Sequence, residues 1–107
     1  MQVKPGHIFE DSGNFYQVIK ATEKTAVVRP IEGKFVGYAD QYGREHAYMP
    51  VADAFTTDPW MSRDEATRGK RLKIHDYSQA GNSPELHFGC RTLYFWDGKP
   101  SVLDTYS

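Results

Sequence analysis

Clusters of turn-forming residues break this chain into short apolar runs, none long enough for an ordinary amphipathic helix. Gly6 to Glu10 halts at Asp11-Ser12-Gly13-Asn14, and Phe15 to Lys20 follows as a second strand, so the two make a hairpin. Thr25 to Ile31 carries a β-branched run, and Glu32-Gly33 offers a turn into Lys34 to Tyr38. The first forty residues therefore read as a four-stranded meander. His46 to Val51 reads as a short edge strand that tolerates Pro50. Along Lys70 to Tyr77, Leu72 and Ile74 alternate with Arg71, Lys73, His75 and Tyr77, the pattern of a half-buried strand. Glu85 to Trp96 is a longer apolar run interrupted at Gly89, where a bulge or bend is expected, and Asp97-Gly98 signals a hairpin returning through Lys99 to Tyr106.

Between Ala52 and Gly69 both periods fade. A short helix fits Ser62 to Ala66, with Ser62 as cap and Glu65 three residues on, as a capping box requires. The pattern predicts an all-β fold: a small, partly open SH3-like barrel of about six or seven short strands with a loop or short-helix insertion near 52–69. A split β-sandwich is the alternative. At 107 residues the chain has room for one domain over 1–107, able to bury roughly two thirds of its unfolded surface without a metal or disulfide staple.

The residues offer little for chemistry. His7, His46, His75 and His87 are scattered and lack metal-ligand spacing, and Cys90 lies among apolar neighbours without an adjacent base. Gly69-Lys70 lacks the remainder of a phosphate-cradling loop, and no carboxylate pair suggests shared acid–base work. No catalytic residue, metal, cofactor or small-molecule substrate is indicated. The expected activity is non-enzymatic binding. Thirteen basic against fourteen acidic side chains, a net charge of −1, argue against bulk attraction to nucleic acid or anionic lipid. The first five residues hold no apolar stretch of the kind a signal peptide or membrane span needs, and one cysteine forms no internal disulfide, so the expected compartment is the cytoplasm.

Two features remain as candidate partner-binding groups. Trp60, Met61 and Arg63 lie in the aperiodic 52–69 segment, where an aromatic side chain could anchor a protein interface. Arg68, Lys70, Arg71 and Lys73 form a basic run continued by Tyr77, which could track phosphates and stack a base, contact an acidic protein surface, or protect an edge strand.

Gly6-His7-Ile8-Phe9, Phe15-Tyr16-Gln17-Val18, Lys24 to Ile31 and Trp96-Asp97-Gly98-Lys99-Pro100 together resemble a group of small proteins carried by bacteriophages and integrated mobile elements. Those proteins open on a Gly-x-Ile-Phe strand and close on an aromatic-Asp-Gly-Lys-Pro hairpin. The resemblance covers about half the chain, and its motifs are structural, so no functional residue carries over. It implies a setting in a bacterial host, with a host protein or ribonucleoprotein complex as partner and inhibition of a defence system, as by an anti-CRISPR protein, as the role. A small nucleic-acid-binding domain using strand 68–77 is the alternative.

Overall fold

A computed structural model describes residues 2–11, 13–39, 41–59, 61–75 and 83–104, residues 103 and 104 by their backbone only. Among these described residues, eight strands and one helix occur in the order β1 (Ile8–Asp11), β2 (Asn14–Ala21), β3 (Thr25–Tyr38), β4 (Glu45–Phe55), α1 (Arg63–Arg68), β5 (Lys70–His75), β6 (Glu85–Phe88), β7 (Arg91–Phe95) and β8 (Ser101–Asp104). The antiparallel order β2-β1-β7-β6-β5-β3 closes through a further β2–β3 pairing into a six-stranded barrel, and β4 and β8 extend from β3 beyond it. The all-β barrel expected from the sequence is present, closed rather than partly open.

Alternation builds the interior. Phe9, Tyr16, Val18, Ala26, Val28, Leu72, Leu86, Phe88 and Leu93 point inward from the six barrel strands, with Val3, Met61 and Ala66 joining the same cluster. No described side chain of β4 or β8 belongs to that cluster. These strands, with the second half of β3, form a separate three-stranded arm whose contact with the barrel is made by other groups. Phe15 is buried outside the main cluster and lies where a Cβ on Gly33 would be only 3.0 Å from its ring. Glu10, on the outer face of β1, takes a hydrogen bond from Ser101 of β8, and burial there raises its pKa.

Several local expectations change. Glu32-Gly33 is no turn: β3 runs unbroken for 14 residues, because leaving the barrel lets it pair with β4 from Ile31 onward. β4 extends to Phe55, so the start of the 52–69 segment is strand rather than insertion. The interruption at Gly89 is a full hairpin turn between β6 and β7, with Gly89 at φ 62°, rather than a bulge in one strand. That turn leaves Cys90 exposed instead of packed. β8 does not return along β7, since both edges of β7 are occupied by β1 and β6; it crosses to β4. Trp96 is only partly buried, its indole N–H donating to the Lys99 carbonyl at 2.7 Å.

Candidate functional site

The aperiodic segment folds back on the barrel. The Thr56 N–H donates to the Pro30 carbonyl of β3, and the buried Asp58 carboxylate accepts a hydrogen bond from the Tyr16 hydroxyl of β2. Arg91 joins this network, donating to the Tyr16 oxygen at 3.2 Å and to Asp11 at 2.7 Å. Burial, and then the Asp58 acceptor, push the Tyr16 phenol well above its ordinary pKa, so it remains a donor throughout the physiological range. Ser62 caps α1 in the expected capping box with Glu65. A cleft of about 450 Å³ opens beside this network, lined by Asn14, Glu32, Thr56, Thr57 and Asp58 among others.

The candidate residues separate into distinct environments. Met61 is in the core and cannot meet a partner directly. Arg63 is exposed at the start of α1. Arg68 is exposed and pairs with Asp64 one helical turn earlier, at 3.3 Å. Lys70 has the parity of Leu72 rather than of Arg71; its ammonium bonds Glu65 and lies 5.1 Å from the Phe88 ring centroid. Arg71 and Lys73 do point outward together, as alternation requires, but β5 is paired on both sides, by β3 and β6, so edge protection does not explain them. Trp60 and Tyr77 lie outside the described residues.

The exposed large hydrophobic side chains among the described residues gather at positions the candidate residues did not include. Phe35, Val36, Tyr38, Tyr42, Val51 and Val102 are exposed large hydrophobic side chains on the arm and its hairpin; among the described residues only Tyr94 on the barrel is comparable. The register places Phe35 across from Tyr48 and Tyr38 across from His46. Ring centroids from Phe35 to Tyr38, His46 and Tyr48 are 5.2, 5.4 and 5.9 Å, all edge-to-face. Simple alternation would put Phe35 and Tyr38 on opposite faces. An extra residue between Phe35 and Gly37, with Gly37 at φ 142°, turns both rings to the same side. Beyond them Tyr42 is 73% exposed, with the Arg44 guanidinium 5.7 Å from its ring.

Exposures of 45% and 62% at Phe35 and Tyr38, whose rings are in contact, leave together about 210 Å² of aromatic surface in water, taking about 200 Å² per side chain. Exposed apolar surface grouped in this way, rather than scattered singly, is the kind that often marks an interaction site. The sequence cue was Gly37 inside a strand, a position where glycine marks a bulge.

Among the described residues no group of three or more His, Cys, Asp or Glu is arranged to hold a metal ion, and no helix is long and apolar enough to cross a membrane. Comparison with protein-family models, curated proteins and solved structures finds no match to this chain.

Proposed function

We propose that the chain is a non-enzymatic binding module that docks on another protein through the aromatic face of the β3–β4–β8 arm. The observation that carries this reading is the concentration of exposed apolar side chains on the arm, away from a barrel that already has its own core. Tyrosine and phenylalanine held on a sheet supply large contact area at low entropic cost, the composition of interface anchors. The resemblance to phage and mobile-element proteins supplies the setting: a partner in the host cytoplasm, a protein or ribonucleoprotein complex, with inhibition of a defence complex in the manner of an anti-CRISPR protein as the biological role.

The test is affinity capture from bacterial lysate with the native protein and a Phe35→Ser/Tyr38→Ser variant. These side chains lie outside the barrel core, so the variant keeps its fold, which circular dichroism verifies. Truncating two anchors at a protein interface costs about 2 kcal/mol or more each. A partner retained by the native chain and lost by the variant supports the reading; equal recovery by both contradicts it.

A further inference from the structure

β8 touches the barrel as well as the arm. Its first residue, Ser101, lies across from Tyr48 of β4, whose ring centroid is 5.9 Å from that of Phe35, and the Ser101 hydroxyl donates to Glu10 of β1. The barrel therefore grips the arm at one end of the aromatic row. Gln17 of β2 and Asp53 of β4 make a second polar grip, while no described side chain of β4 or β8 enters the barrel core. Polar contacts of this kind exchange for water at little net cost, unlike a packed apolar seam.

The Glu10 grip is incompletely satisfied. Ser101 answers the carboxylate on one oxygen, whereas Oε2 is buried and has no hydrogen-bond partner among the described residues. On the neighbouring strands Glu10 faces Phe15 of β2 and Tyr94 of β7, neither of which brings a positive charge. Asp11, next along β1, is engaged with Arg91. In the turn between β7 and β8, Asp97 adds a like charge, and Lys99 is exposed and makes no ion pair with Glu10. The charged form of Glu10 thus sits half answered, whereas the neutral form keeps the Ser101 bond and has no charge to desolvate.

We propose that Glu10 is a proton-operated latch on the arm: neutral, it holds Ser101 and keeps β8 against β1; ionised, it lets β8 and the arm lift, opening the row around Tyr48 to a partner. This regulation rests on the reading of the aromatic face as the docking surface. Loss of solvent, and then the Asp97 charge, hold the carboxyl above its ordinary value of 4.5 while the latch is shut, against the opposing pull of the Ser101 bond. A lifted arm returns the group to water and to that ordinary value. A raised pKa stabilises its own state fully at low pH and progressively less as pH climbs through it. The latch is therefore tight below about pH 4 and loosens toward neutrality.

The experiment reads one barrel-to-arm distance by pulsed EPR, with labels on the exposed Cys90 between β6 and β7 and on Tyr42→Cys in the arm hairpin. Near the acid limit a single narrow distance is expected. Toward neutral pH a second distance should grow, its ratio to the first rising by about tenfold for each unit by which the latched carboxyl is raised. Glu10→Gln, neutral and of the same shape, should keep the single distance throughout, and Asp97→Asn, which removes the like charge, should shrink the second population at neutral pH. One unchanged distance in the native chain overturns the proposal, as does a second population that persists in Glu10→Gln. In lysate capture at neutral pH, Glu10→Gln should recover severalfold less partner than the native chain. Equal recovery by these two, with loss in Phe35→Ser/Tyr38→Ser, removes the control and leaves docking on the aromatic face standing. A pH-dependent distance with equal recovery by all three chains keeps the latch and removes the docking face it was to serve.

Discussion

Gln17 is a buried polar side chain on the outer face of β2, and both ends of its amide are used by one residue. Its Nε2 donates to the Asp53 carboxylate and its Oε1 accepts the Asp53 backbone N–H, each at 2.8 Å. Asp53 is the one described non-glycine residue at positive φ, 64°, and it lies where β4 bulges between Pro50 and Phe55. The bulge redirects β4 from the arm onto the barrel. Gln17→Ala would leave the Asp53 N–H without this partner and should lower stability by about 1–3 kcal/mol, read as a shift in urea midpoint. Asp53→Gly, which relieves the backbone while keeping the Gln17 carbonyl partner, should cost less. At this scale alternation made Arg71 and Lys73 legible as outward cations. It also sets Lys70 on the opposite face, and no sequence pattern showed that Glu65 would hold its ammonium.

β3 is the element on which the molecule turns. Its first half is a barrel strand between β2 and β5, and its second half is an arm strand paired to β4. The apolar periodicity of each half was readable, and so were the strands of β1, β2 and β5 and the Ser62 capping box. The continuity of β3 was not, because Glu32-Gly33 carries the same local chemistry whether the chain turns or passes closely over the Phe15 ring. Gly69 is a more demanding glycine. It has φ 96°, and a Cβ there would stand 2.5 Å from a Val27 methyl and 2.9 Å from an Ile19 methyl. Its N–H also closes α1 on the Glu65 carbonyl at 2.7 Å. Gly69→Ala therefore combines backbone strain with overpacking and should destabilise by on the order of 2 kcal/mol or more, measured by thermal or chemical unfolding. A loss of a few tenths would mean that the α1–β5 junction is looser than this geometry.

For the whole molecule the consequence is a division of labour. A closed barrel leaves no edges between its own strands, and among the described residues every exposed large hydrophobic side chain except Tyr94 lies on the arm and its hairpin. Sequence spacing could not reveal this, since closure depends on the distant pairings β1–β7 and β3–β5, and β8 reaches the arm only because β7 has no free edge. Hydrogen–deuterium exchange of the free protein and of its captured complex tests the division directly. The arm peptides covering 33–38 and 45–50 should gain protection when the partner binds, while those covering 70–75 and 85–95 exchange as in the free chain. Protection confined to the barrel peptides, with the arm unchanged, would contradict the account.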